Sequence, residues 1–237
     1  MLEIPLIIAV NLIPVLFWFW WFEGRDPIPE PRALLLRTFA YGAVGYVLAT
    51  LLELDLLRLL GIPVASVLML MIIAALEEAI KYLAASTIVR HSDFDELIDG
   101  LIYATVAALG FAFLENVMYG LKYGLGSTFF LRGTLTTLAH VLFAAPWGVA
   151  MAVKKFIGGR YVLRSALLLS MVLHGAFNFL LLEQQKNLWY LLPILALFVS
   201  MYWLTLNYYR TVLKRNRNRI HGGRMLEGGR VGGGQAR

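Results

Sequence analysis

Seven long apolar runs, separated by short charged segments, limit what this chain can fold into: Leu2 to Phe22, Ala33 to Leu54, Pro63 to Val89, Leu97 to Leu121, Thr128 to Val153, Ser165 to Leu182 and Leu188 to Tyr209. Each is close to the ~20 residues that carry a helix across ~30 Å of hydrocarbon. The last contains no charged residue. Lipid offers no partner for a free backbone N–H or C=O, so such runs become helices packed on one another. The expectation is an all-α, polytopic membrane helix bundle of about seven transmembrane helices. Residues 1–209 would form the membrane domain, and 210–237, basic and rich in Gly and Arg, a disordered tail.

Composition agrees: 59% of the 237 residues are hydrophobic and only 15% are charged, with a mean hydropathy of +0.70. Cysteine is absent, which removes disulfides, thiolate metal ligands and a thiol nucleophile. The net charge of +6 sits mostly between or after the apolar runs, where Lys and Arg set orientation rather than bind nucleic acid. If the spans alternate, the loops after the first, third and fifth runs and the tail share the basic side. That side is expected to be cytoplasmic, with the amino terminus outside. The Phe17–Phe22 aromatic belt closes the first run at an interface. A signal peptide is the rival reading of that run, weakened by the lack of a basic start and of a small-residue cleavage site.

Against this apolar background, Glu77, Glu78 and Lys81 fall within five residues of one run. Charges at mid-membrane are costly and normally face a bundle interior where they act on something. Helical rise, ~1.5 Å per residue, brings His140, His174 and Asn178 to the same middle slab as the glutamates, with Glu115 somewhat nearer the outer face. Positions three or four apart share a face. Lys81 can therefore neutralise one glutamate and leave the other as a general base, and His174 and Asn178 point the same way. Glu77, Glu78, His140, His174 and Asn178 are the candidate catalytic residues. Lys81, Glu115, Asn116 and Asp99 are candidate supporting residues. Each has a plainer reading: an ion pair for Glu77, Glu78 and Lys81, a packed core histidine for His140, pairing with Arg132 for Glu115 and Asn116, and a helix amino-terminal role for Asp99.

Five motifs in order resemble the PrsW family of intramembrane proteases: Glu77-Glu78-x-x-Lys81, Asp99-Gly100-Leu101-Ile102-Tyr103, Gly110 to Asn116, His140 after Leu131-Arg132, and His174-Gly175-x-x-Asn178. With the acidic, proline-containing first loop and Leu36-Arg37-Thr38-Phe39, the similarity runs from about Trp18 to Leu182. The resemblance implies peptide hydrolysis within or at the edge of a prokaryotic cytoplasmic membrane. It further implies a membrane-bound anti-sigma factor, or another single-span or lipid-anchored protein, as substrate. The paired glutamates and the histidine of the His-x-x-x-Asn/Asp motif are essential in that family. Asn178 stands where PrsW itself has Asp.

Two versions of water activation stay open at this stage. In one, a glutamate of the pair, assisted by His140, takes a proton from water, while His174 and Asn178 stabilise the oxyanion. In the other, Zn2+ is held by candidates among His140, His174, Glu78 and Glu115. A proton- or ion-coupled transporter using the buried Glu-Glu-Lys cluster is the alternative of another class, and a silent membrane scaffold a third. The bilayer is the one further partner expected. Oligomeric state has no signature in the sequence.

Overall fold

The computed structural model describes residues 3–24, 26, 28–159, 161–207, 210, 211 and 214, except for the side chains of 127, 128 and 130–132. The protein is a bundle of helices: α1 (Glu3–Glu23), α2 (Arg32–Leu60), α3 (Val67–Ser86), α4 (Asp99–Tyr123), α5 (Ser127–Phe156) and α6 (Val162–Gln184). A seventh, α7 (Leu188–Asn207), opens with a 3-10 turn at Leu188–Tyr190. No strand occurs among the described residues. Five helices are long and apolar enough to cross a membrane: α1, α4, α5 from Gly133, α6 and α7. With α2 and α3, at 29 and 20 residues, they form a membrane helix bundle. The tail expected to be disordered lies, beyond 214, outside the described residues.

Two helix boundaries differ from the sequence reading, for local reasons. α2 runs on past Leu54, where the apolar run was expected to end, to Leu60, because leucine and arginine favour helix. The stop comes at Gly61, whose left-handed φ of 61° closes the helix with its N–H on the Leu57 carbonyl, a conformation glycine adopts without a Cβ penalty. α3 starts at Val67 rather than at Pro63 because the Ser66 hydroxyl accepts the Met69 N–H at 3.2 Å, an N-cap.

α4 and α5 occupy the middle. α4 packs on α1, α2, α3 and α5; α3 packs on α2, α4, α5 and α6. Every residue of α4 from Asp99 to Ala112 is buried. Small residues make that depth possible, since in lipid helices associate through close packing rather than through exclusion of water. A Cβ on Gly42 of α2 would lie 2.1 Å from the Ala107 carbonyl oxygen, and one on Gly110 of α4 would lie 2.0 Å from that of Phe39. Gly100 and Gly148 bring α4 and α5 together likewise: a Cβ on Gly100 would lie 2.3 Å from the Gly148 oxygen. On the other flank, a Cβ on Gly175 of α6 would meet Met71 Sδ of α3 at 2.3 Å. These contacts draw α3, α4, α5 and α6 close enough for their mid-helix polar side chains to touch.

One further polar cluster lies at the end of the bundle where α1 meets α2 and α3 meets α4. The Tyr103 hydroxyl donates to Glu30 at 2.5 Å, and Asp99 accepts the Glu96 N–H at 2.7 Å. In the α1–α2 loop, Asp26 is half-buried; loss of hydration, opposed by the Ile28 N–H and reinforced by Glu30 and Glu96, pushes its carboxyl up from an ordinary 3.8 to about 7.

Two outcomes follow for stability. Gly110→Val should destabilise the purified protein by roughly 1–3 kcal/mol or more, read as a lower thermal midpoint in detergent, because backbone rather than a flexible side chain blocks the added atoms. Asp26 is protonated more readily in the folded state, so its contribution is full below about pH 4 and is lost as pH rises through about 7. The stability difference between wild type and Asp26→Asn should therefore move against the wild type over that range. A difference flat from pH 4 to pH 7.5 would contradict the assignment.

Candidate active site

Lys81 is completely buried, yet an ammonium has three donors and no acceptor, so each must find a partner. One goes to Glu78 Oε1 on the same face of α3 at 2.5 Å, and another to His140 Nδ1 of α5 at 3.0 Å. The ammonium also lies 4.9 Å above the Phe111 ring of α4. Glu77, one turn below Lys81 in sequence, is farther from it, at 3.9 Å. Adjacent glutamates project about 100° apart on an α-helix, and here the two diverge in role.

Glu78 is saturated. Besides Lys81, Oε1 accepts from His174 Nδ1 of α6 at 2.9 Å, and Oε2 accepts from Trp147 Nε1 of α5 at 2.8 Å. Three donors around one fully buried side chain define a carboxylate held as an anion. Glu77 is the opposite case. Its side chain is 12% exposed, and Oε2, itself buried, has no hydrogen-bond partner. The nearest imidazole nitrogen, His174 Nε2, is 3.7 Å away.

The imidazole protons follow from these contacts. Lys81 donates to His140 Nδ1, which leaves the ring proton on Nε2, where Glu115 Oε2 accepts it at 2.7 Å. Glu78 accepts from His174 Nδ1, which leaves the Nε2 lone pair of His174 directed to the Glu77 side. Phe143 stacks on the His174 ring, with centroids 4.8 Å apart and planes 17° from parallel, and the His140 and His174 rings meet edge to face at 5.2 Å. Both rings are thus fixed by aromatic packing as well as by hydrogen bonds.

Glu77, His140 and His174 each offer one ligand atom, all within 4.8 Å of one another. Two imidazole nitrogens and a carboxylate oxygen are a set that zinc takes in catalytic sites. The Nδ1–H of His174 on Glu78 is the carboxylate–histidine pairing that orients metal ligands. Both ring nitrogens of His140 are occupied, so its entry into a coordination sphere exchanges one of those contacts.

The other sequence candidates separate. Asn178 lies one turn from His174 on α6, half-buried, with no hydrogen bond among the described residues. Asn116 serves helix packing: its Nδ2 donates to Thr137 Oγ1 at 3.2 Å, and its Oδ1 accepts from Thr136 at 2.9 Å, joining α4 to α5. Asp99 heads α4 in the loop-end cluster with Tyr103 and Glu30, away from the glutamate pair. The side chain of Arg132, the alternative partner of Glu115, lies outside the described residues. Trp147 was missed by sequence reasoning. Its signal was spacing, since His140, Phe143 and Trp147 recur at three and seven residues on one face of α5.

A membrane helix bundle that closes around carboxylates and imidazoles, one carboxylate open and the rest fixed, holds the groups that hydrolytic chemistry inside a membrane needs. Residues 30–205 match the family model described as "PrsW family intramembrane metalloprotease", and the chain belongs to that family and is an intramembrane protease. It is 33% identical to Protease PrsW of Geobacillus kaustophilus over 83% of this chain and 87% of that protein. To Protease PrsW of Clostridioides difficile it is 31% identical, over 81% and 84%. No solved structure matches the chain.

Lys81→Met should destabilise the protein strongly, by about 3–5 kcal/mol, because it leaves the Glu78 anion buried without its cation. Thermal unfolding in detergent reads this, and the double variant Glu78→Gln with Lys81→Met should recover much of the loss. Additive losses would show that the two side chains are not a pair.

Proposed function

We propose that the chain hydrolyses a peptide bond of a single-span or lipid-anchored membrane protein, with Glu77 as the group that takes the proton from water. The observation that carries this reading is the contrast within the pair: Glu78 is saturated by Lys81, His174 and Trp147, while Glu77 Oε2 is buried without a hydrogen-bond partner. A general base needs a free lone pair within reach of its proton donor. Glu77 and Glu115, at 12% and 20% side-chain exposure, form the open edge of the site; Glu78 and Lys81, at 0%, form its back.

A divalent ion, where bound, would be held by His140, His174 and one oxygen of Glu77 and would supply Lewis acidity for the carbonyl and the water. A Glu77 oxygen left free accepts the water proton as the water oxygen adds to the scissile carbon, and returns it to the amine nitrogen as the C–N bond breaks. His174 cannot donate to the oxyanion, since its proton is committed to Glu78 and its other nitrogen carries a lone pair. The uncommitted Asn178 carboxamide is the donor for that charge, a contribution of a few kcal/mol where such donors are removed. Lys81 and Glu115 hold His140 from either side.

The membrane in question is the prokaryotic cytoplasmic membrane, in keeping with the bacterial relatives. A membrane-bound anti-sigma factor is the substrate that the family resemblance favours. The test is cleavage of a single-span reporter in proteoliposomes, with the cut mapped by mass spectrometry. Wild type should cut within or at the edge of the span. Glu77→Gln, nearly isosteric, should lose at least ~100-fold in rate while keeping the wild-type thermal midpoint. Cleavage by Glu77→Gln at the wild-type rate would overturn the assignment of the base.

A further inference from the structure

A cavity of about 550 Å³ opens between the carboxyl ends of α3 and α5 and the start of α6, at the opposite end of α3 from its Ser66 cap. It is separate from the hydrolytic site. Three cations reach it, Arg90, Lys154 and Lys155. Lys155 is fixed in place, donating to the Phe94 carbonyl at 2.5 Å and lying 4.8 Å over the Phe94 ring. Arg90 and Lys154 are exposed and have no carboxylate partner among the described residues. Cations at helix carboxyl ends complement the dipole, and basic loops orient the chain. Neither effect calls for a cavity or for the convergence of three cations on it.

The remaining wall sorts into two kinds. Ser86 and Thr87 give their hydroxyl protons to the Leu83 and Ala84 carbonyls at 2.9 and 2.8 Å, so they offer only lone pairs, which suit a ligand bearing hydroxyls. Val89, Met151 and Leu163 are apolar and, with the Tyr82 ring, line the side nearer the bundle. A free phosphate ion has no use for that wall, whereas a phospholipid has its acyl chains beside its phosphate. Basic pockets between transmembrane helices on the cytoplasmic side take anionic headgroups.

We propose that this cavity binds the phosphate of an anionic, hydroxyl-bearing phospholipid headgroup, with Arg90 and Lys154 as its charged contacts. One wall residue of the cavity also packs against the active site. The Tyr82 ring packs edge to face on Trp147, with centroids 5.9 Å apart, and Trp147 donates to Glu78. A headgroup in the cavity therefore sits one aromatic ring from the indole that holds Glu78.

Phosphatidylglycerol is the probe, and the readout, independent of proteolysis, is lipid retained by the full chain in native mass spectrometry after exchange into mixed phosphatidylglycerol and phosphatidylcholine. Wild type should retain phosphatidylglycerol preferentially. Arg90→Gln and Lys154→Gln should each weaken retention about fivefold, the share of one cation near a membrane surface. Lys122→Gln, an exposed lysine near the other end of the bundle, should leave it unchanged. No preference in wild type, or equal loss in Lys122→Gln, would overturn the proposal, and displacement by millimolar inorganic phosphate would overturn the lipid as its source. Photoactivatable phosphatidylglycerol, which needs no variant, should label residues around Tyr82 and Met151. Labelling confined to other sites would contradict the assignment even if the variants fail to fold.

Discussion

The buried ammonium of Lys81 is the contact on which the rest of the site depends. Removed from water and surrounded by α3, α4 and α5, it is tolerable only because Glu78 and His140 accept its protons and Phe111 covers it. Those same contacts set the chemistry of their partners. The Lys81–Glu78 pair fixes a carboxylate that in turn orients His174 from α6, and the Lys81–His140 contact decides which nitrogen of His140 faces Glu115. One cation thus assigns the proton positions on two imidazoles. A buried pair of this kind contributes little net stability, but removal of either member alone is severe, so its value lies in the arrangement it enforces.

That arrangement divides the polar cluster. Glu78, Lys81 and Trp147 form a closed back wall, in which Lys81 and Trp147 both donate to Glu78. Glu77, His140 and His174 form a front that can take up a water, a carbonyl or a divalent ion. Preorganised groups in a water-poor site act more strongly than the same groups in solvent, and here the cost of preorganisation is met by the helix packing. Gly42, Gly100, Gly110, Gly148 and Gly175 stand where any Cβ would collide with a neighbouring helix. The glycines that lower the separation between helices are therefore as necessary to the assembly of the cluster as its polar side chains.

Much of this was legible in the sequence. Apolar runs of membrane length gave the helices, because lipid leaves the backbone no other option. Polar residues inside those runs marked the site, because mid-membrane charge is expensive and i,i+3 and i,i+4 spacing ties Glu78 to Lys81 and His174 to Asn178. Depth arithmetic put Glu77, Glu78, His140 and His174 in one slab, where they now touch. Rotation about each helix axis was not legible, since it is set by packing against neighbours. For that reason the roles of Glu77 and Glu78 stayed undivided, Trp147 was not singled out, and the bonds of Asn116 to Thr136 and Thr137 and of Asp99 to the Glu96 N–H were not foreseen. The α2 overrun to Leu60 was missed because a leucine-rich segment reads as helix or turn until its glycine stop is seen in a left-handed conformation.

The division of the cluster into a fixed and a working half can be read directly from the optical spectrum of the purified full chain loaded with Co2+, whose visible bands report its ligands without any substrate. Bands of a low-coordinate nitrogen and oxygen site are expected in wild type and should be lost in Glu77→Ala, His140→Ala and His174→Ala. Bands that persist in Glu77→Ala would contradict the account, because the ion would then be held by residues assigned to the fixed wall.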